Sequence, residues 1–590
     1  MNRRAFIKRA ALAPALASVP FNSPDGAPEE SSRNTSAAGA LGRRYELSLR
    51  RVLSGGPPVY TPDFVLADVR PEPERRFTNF SGDLSGRYVG ALALAARHYG
   101  KEFPQCDELV PRIIGLQKPD GHFGADFHFE NPKDNDLAIL WGNGRLLVGL
   151  LEYDRVKPRP QIRASAKRIG DFLIRVGPLM NSDAIRRQFD SGHFATGYIC
   201  WTQNIEGLAE LYRVTTDSSY KVLAERISRH VVRHPSEHVH GFLTSLRGMV
   251  DLCKVTGDQH YLEQAEREWH AIASSKDLLV TGGVPEQWSP ANMRTEGCAE
   301  ADWIRLSLAL WALTEKPEYL AMAEKTIFNE FAMNQFETGD FGHRMLTPTG
   351  IAGNHDARAW WCCSLHGLRC FPDIVSAAFR TKPDAIYYDL PVDGRVESEG
   401  LLLSAVSSLD RDGSVRLVVL SGDVGDRRLE IRQPDWAADL EVSINGKRPS
   451  IGKRDDYRRI SHHYKPGDVI SIHYVMKTRV IAWRDTARGA LFHGPWLLGV
   501  PKSADSPYFD EPSEMNRLRV GGGPQDDVRL DHACARNSET FAVPEAEFQV
   551  KYLPGGYPCQ PQEATLCPVS EQTRGASTDW EFLFNTEGTS

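Results

Sequence analysis

"VTTDSSYKVLAE" (214–225), "VTGDQHYLEQAE" (255–266) and "LTEKPEYLAMAE" (313–324) are three versions of one phrase. Each ends an apolar periodic run, turns through a polar link, and opens a second run on a tyrosine followed by alanine and glutamate four and five residues on. The shared unit is a helical hairpin. Tyr220 and Tyr261 are 41 residues apart and Tyr261 and Tyr319 are 58 apart, so the second interval carries 17 extra residues, within "LLVTGGVPEQWSPANMRTEGC" (278–298). Successive hairpins of this length suit a toroid of paired helices, an (α/α)6 arrangement in which loops gather at one end and build a site.

Outward from the repeats, "RLLVGLLEY", "NIEGLAELYRV", "LRGMVDLCKV" and "IRLSLALWAL" place apolar residues at three- and four-residue spacing. They extend the helical, catalytic region over 41–382. Beyond Lys382 the pattern changes to short alternating runs such as "AIYYDLP", "LLLSAVSSL", "VRLVVLSG" and "VISIHYVM", separated by "VDG", "RDG", "NGK" and "KPGD". A β-sandwich is expected over 383–505. The loop-rich remainder, 506–590, reads as an extension that joins a second sandwich and carries Cys534, Cys559 and Cys567, whose pairing is open. The fold class is thus multidomain α + β.

At 590 residues the chain is long enough for several cores. Its 70 basic and 77 acidic residues leave a net charge of −7, which gives no basic footprint for nucleic acid. After the N-terminus no apolar run approaches the length of a membrane span. Residues 1–20 do carry a targeting pattern: Arg3 and Arg4, then Phe6, Ile7 and Lys8, then an Ala/Leu segment from Ala10 to Val19, resemble a twin-arginine export signal. Such a route moves folded proteins, so thiols can be metallated before they meet an oxidising compartment. The Ser-, Pro-, Gly- and Ala-rich stretch 21–40 reads as a disordered linker. The expected location is periplasmic or extracellular.

Among the ten cysteines, Cys200 and Cys253 fall on helices and read as small buried hydrophobes. Cys362 and Cys363, in "WWCCSLHGLRCFP", are adjacent, and adjacent cysteines are awkward to join to each other. With Cys298, and with Glu296 two residues before it, they would complete a tetrahedral zinc site. From spacing alone, buried unligated thiols remain the competing reading.

At these residues the chain resembles glycoside hydrolase family 127, whose founding activity is exo-β-L-arabinofuranosidase. The resemblance spans roughly 60 to 500 and includes "IRQPDW" (431–436), "ING" (444–446) and "YKPGD" (464–468). It implies that Glu296, Cys298, Cys362 and Cys363 hold Zn2+ and that Cys362, the first of the pair, is the nucleophile. Glu286 in "TGGVPEQW" would be the acid/base, and His238 in "EHVHGFL" a sugar contact. Gln203 in "YICWTQNIEGL" stands where the family often has a sugar-facing histidine. Two departures bear on the sugar: Glu286 and Glu296 are only ten positions apart, and "CCSLHG" replaces the usual ending after the pair.

The implied chemistry is retaining glycoside hydrolysis with sulfur in place of one carboxylate. A free cysteine titrates near ~8.5, and a metal favours its thiolate. Glu286 would donate a proton to the leaving oxygen and later take one from water, which calls for a raised pKa. His366, three residues after the pair, either orients a ligand or makes a turn, and so enters as a candidate near the substrate. His238 and His240 have an alternative as satisfied core histidines. Trp360 and Trp361 either stack against a sugar ring or pack between domains, with packing the expectation, and His343 in "FGHR" is open between the same kinds of role.

The leading function is an exported retaining glycosidase acting on terminal β-L-arabinofuranose in plant or algal polysaccharide or oligosaccharide. The same machinery acting on another pentose or a branched acidic sugar is one alternative. A non-catalytic carbohydrate-binding protein with structural zinc is the other. A second copy of the chain, as a homodimer, is left open.

Overall fold

Each of the three repeats closes its first helix on a threonine. Thr215, Thr256 and Thr314 donate their hydroxyls to the carbonyls of Leu211, Leu252 and Leu310, at 2.7, 2.7 and 2.8 Å. The same oxygens accept from the backbone N–H of Asp217, Asp258 and Lys316. The residue between turns left-handed, at φ 59° for Thr216, 75° for Gly257 and 57° for Glu315. Glycine is at ease there, whereas an L-residue is strained by roughly 1–2 kcal/mol. Asp217 and Asp258 then cap the next helix by accepting from Ser219 N–H and His260 N–H.

A computed structural model describes residues 39–501, apart from 57–58, 72–79, 190–196, 289–293, 354–356, 399, 423–427 and 485–487, and beyond that range 519–520, 530–531, 547–552, 562–572 and 578–586. The export motif, nearly all of the linker, Cys534 and Cys559 lie outside the described residues. Among the described residues, the helices Asp83–Tyr99, Asp134–Val156, Asn204–Thr215, Val239–Thr256, Gly297–Thr314 and Trp361–Ser376 touch in that order, and the last meets the first. This closed inner ring is wrapped by Pro104–Gly115, Pro160–Met180, Ser218–Ser228, Gln259–Ala273 and Pro317–Thr326, each against the inner helix before it. Ala40–Ser54 completes the outer layer from the other end of the chain by packing on Trp361–Ser376. The toroid of paired helices expected from the repeat is therefore present.

Burial separates the two layers. The inner helix Gly297–Thr314 buries every residue from Gly297 to Leu308. The outer helix Gln259–Ala273 buries only Leu262, Ala265, Trp269 and Ile272, a single stripe at helical spacing.

After Ser376 the chain builds two five-stranded sheets, whose faces alternate buried and accessible residues, as in Leu401–Ser408. Arg432 and Trp436 of "IRQPDW" reach back to Glu324, the last residue of the third repeat, at 3.0 and 3.1 Å, and so dock sheet on toroid. The strands Arg488–His493 and Trp496–Pro501 pair instead with C-terminal strands, and Thr478–Ala482 adds to the edge of Arg488–His493. That third sheet also takes in Gly350–Ile351 from the helical region.

Candidate active site

Five of the sequence-predicted residues, Glu296, Cys298, Cys362, Cys363 and His238, meet where inner helices begin. Glu296 is the N-cap of Gly297–Thr314 and Cys298 lies in its first turn. Trp360 is the N-cap of Trp361–Ser376, with Cys362 and Cys363 next. His238 is the N-cap of Val239–Thr256. Helix N-termini present unpaired N–H groups and partial positive charge, a setting that favours thiolates and carboxylates.

Glu296, Cys298, Cys362 and Cys363 each bring one donor atom within 4.8 Å of all the others. Cys362 and Cys363 Sγ are 3.9 Å apart, and Cys363 Sγ lies 3.9 Å from Glu296 Oε1. A tetrahedron with metal–sulfur bonds of ~2.3 Å holds its sulfurs about 3.8 Å apart, so the donor set fits zinc in type, number and spacing. Close approach depends on Gly297, where a Cβ would stand 2.9 Å from Phe341 Cβ and 3.2 Å from Cys363 Cβ. Burial pushes the Cys298 and Cys363 thiols well up. Burial acts on Cys362 too, but hydrogen bonds from the other two thiols and the Arg87 guanidinium bring it down to about 6. Cys362 is also the half-buried member of the pair.

A small antiparallel sheet holds the other wall. Arg294–Glu296 pairs with Gly342–Met345, which sets Glu296 opposite His343, and Arg358–Ala359 adds the third strand before leading into Trp360. Glu286 is pinned beside it: its N–H donates to Arg294 O at 2.9 Å, and its carbonyl accepts from Val239 N–H at 3.0 Å. One oxygen of Glu286, one of Glu296 and a ring nitrogen of His238 lie within 4.8 Å of one another. His238 Nε2 stands 2.9 Å from Glu296 Oε2. Burial resists charging that ring, but Glu296 prevails and pushes its pKa up to about 9.

Glu286 departs from expectation in its protonation. Burial works to raise its pKa, but His343 Nε2 at 3.4 Å and the Arg294 guanidinium, hydrogen-bonded to Oε2, hold it below the usual carboxylate value. The expected upward shift is therefore reversed by two neighbours that spacing did not reveal.

Behind the cluster lies a buried network that sequence reasoning also missed. Arg87 donates to Asp83, His240 and Cys298. Asp302 accepts from His240, Thr244, Arg247 and His366, at 2.6 to 2.9 Å. Those donors hold the Asp302 carboxyl far below its ordinary range against burial. A charged residue midway along an apolar helix, as in "GRYVGALAL" or "AEADWIRL", is the available signal for such a network.

Two candidates fall outside the substrate's reach. Gln203 has no exposed surface; Arg145 donates to its Oε1 at 2.8 Å, and its amide faces the carbonyls of Leu140, Trp141 and Cys200. It ties helices together, so its placement as a sugar contact is corrected. His366 is equally buried and serves Asp302 behind the thiols. The tryptophans separate as well. Trp361 is buried, whereas Trp360 is 39% exposed with its ring 6.0 Å from that of His343, which corrects the expectation that both pack between domains.

Comparison with known proteins agrees with this geometry. The model of the β-L-arabinofuranosidase catalytic domain of glycoside hydrolase family 127 matches residues 69–375, and that of the family's middle domain matches 386–476. Among solved structures, a family 127 β-arabinofuranosidase is similar at 18% identity and a TM-score of 0.68, over 93% of this chain and 96% of that one. A β-L-arabinofuranosidase of the same family from Geobacillus stearothermophilus T6 is similar at 16% identity and 0.68, over 93% and 99%. At such identities the likeness concerns the fold. No curated protein matches the chain significantly.

Proposed function

Since the chain belongs to glycoside hydrolase family 127, the β-L-arabinofuranosidase family, we propose that it is an exported, retaining exo-glycosidase that releases terminal β-L-arabinofuranose from plant or algal glycans. The observation that carries this reading is the packing of three thiols and the Glu296 carboxylate beside Glu286, where two inner helices begin. A structural metal knot needs no second buried carboxylate at its edge.

Zn2+, held by Glu296, Cys298, Cys362 and Cys363, would keep the thiols ionised and temper their basicity. Cys362, the half-buried member of the pair, attacks the anomeric carbon and forms a thioglycosyl bond as the C–O bond to the leaving group breaks. Glu286 gives its proton to the departing oxygen. In the second half, Glu286 takes a proton from water, the water oxygen bonds the anomeric carbon, and the C–S bond breaks, returning the thiolate with retention. A carboxylate held below its usual pKa by His343 and Arg294 suits the second half directly. For the first half, Arg294 must yield its place on Oε2 to the glycosidic oxygen.

The twin-arginine-like start supports export, and no described helix is long and apolar enough to cross a membrane. The reading is tested by hydrolysis of 4-nitrophenyl glycosides. Turnover of the β-L-arabinofuranoside well above α-L-arabinofuranoside and pyranosides is expected. Preference for another pentose would keep the machinery and change the sugar, and no turnover of any of them would count against catalysis.

A further inference from the structure

Arg87 enters the site from the inner helix Asp83–Tyr99 and is 1% exposed. Its Nε donates to Asp83 Oδ1 at 2.7 Å, one turn earlier on the same helix. Its Nη2 lies 2.8 Å from His240 Nε2, and its Nη1 lies 3.5 Å from Cys298 Sγ. A guanidinium only donates, so His240 Nε2 must be bare and its proton must sit on Nδ1. That proton goes to Asp302 Oδ2, 2.6 Å away. Burial outweighs Asp302 and lowers the His240 pKa to about 4, which agrees with the neutral ring the geometry demands. Asp302 is fixed in turn by Thr244, Arg247 and His366, so residues from four inner helices set the direction in which Arg87 points.

We propose that Arg87 is a positioning residue for the thiolate cluster: clamped by Asp83 and His240, it donates to Cys298 Sγ, fixes that side chain, and offsets part of the cluster's negative charge. This rests on reading Glu296, Cys298, Cys362 and Cys363 as a metal site. Three thiolates and a carboxylate around a divalent ion leave two excess negative charges in a buried place, which is costly without a compensating cation. Arg87 supplies one, in the shell around the ligands where partners tune metal affinity. It is too deeply buried to meet the sugar.

The test compares the zinc-loaded wild type with Arg87→Met, Arg87→Lys and Asp83→Asn, the last loosening the clamp without touching the cluster. Zinc release to a chromogenic chelator and the thiolate-to-metal absorption of the cobalt-substituted protein are read alongside circular dichroism. Arg87→Met should weaken zinc binding by ~10–100-fold and shift the cobalt band, with Arg87→Lys and Asp83→Asn in between. A folded Arg87→Met with wild-type release and an unchanged band overturns the proposal. So do wild-type values in Arg87→Lys and Asp83→Asn if Arg87→Met does not fold. A wild type that binds no zinc removes the metal site itself, and the role of Arg87 with it.

Discussion

Arg294 donates to Glu286 Oε2 beside the thiolate cluster, and His343 and Arg294 together hold that carboxylate below its usual pKa. Glu286 must hold a proton to release the leaving group, so activity should fall as pH rises through its pKa. Replacing Arg294 by Met leaves burial opposed mainly by His343, and the pKa rises. The alkaline limb of the kcat/KM profile should therefore move to higher pH in Arg294→Met. An unmoved limb would show that the ion pair does not govern the group.

Glu286→Gln keeps the shape and loses the proton. On natural glycosides turnover should drop by at least ~10²–10⁴. Substrates with good leaving groups should form the glycosyl intermediate nearly as fast as before and then stall. Equal losses on activated and unactivated substrates would assign Glu286 to binding alone.

Glu330 couples stability to pH behind the same loop. Burial raises its pKa from 4.5 to about 7, even though the Thr281 hydroxyl donates to it. The folded state thus prefers the protonated acid. This contribution is complete below about pH 4.5 and is lost as pH rises toward 7, amounting to roughly 3 kcal/mol. In urea titrations, wild type should lose stability relative to Glu330→Gln between pH 4.5 and 7.5. Parallel curves for the two proteins would refute a neutral Glu330. The glycine of "TGG" fits this acid, since a Cβ on Gly283 would lie 2.3 Å from Glu330 Cγ.

Elemental analysis of protein purified without added metal should find about one zinc per chain. Cys363→Ser and Cys298→Ser should lower metal content first and activity as a consequence. Strong chelators should inactivate slowly, because a site closed by three thiolates releases its ion reluctantly. Full activity in metal-free protein would end the zinc account.

Much of this was legible in residues close together in sequence. The Thr–turn–cap phrase of 214–225 recurs because each hairpin solves the same local problem, ending one helix and starting the next within three residues. Glu296, Cys298, Cys362 and Cys363 announced themselves by chemical type. What stayed hidden depends on chain-distant partners. Completion of the outer layer by Ala40–Ser54 needs the last inner helix, more than 300 residues away. Arg87 finds Cys298 across 211 residues, and no local pattern says which anion a buried arginine will meet. Gln203 is hidden in the same way: its neighbours in sequence look like a site, while its bonds go to Arg145 and the helix of Leu140 and Trp141.

The central claim is that Cys362 attacks the sugar while Cys363 helps to hold the cluster. A slow or electrophilic β-L-arabinofuranosyl analogue, followed by digestion and mass spectrometry that fragments between the adjacent residues, decides it. The account predicts one glycosyl adduct on Cys362 and none on Cys363. An adduct on Cys363 would exchange their roles, and an adduct on a carboxylate such as Glu296 would contradict the thiolate mechanism.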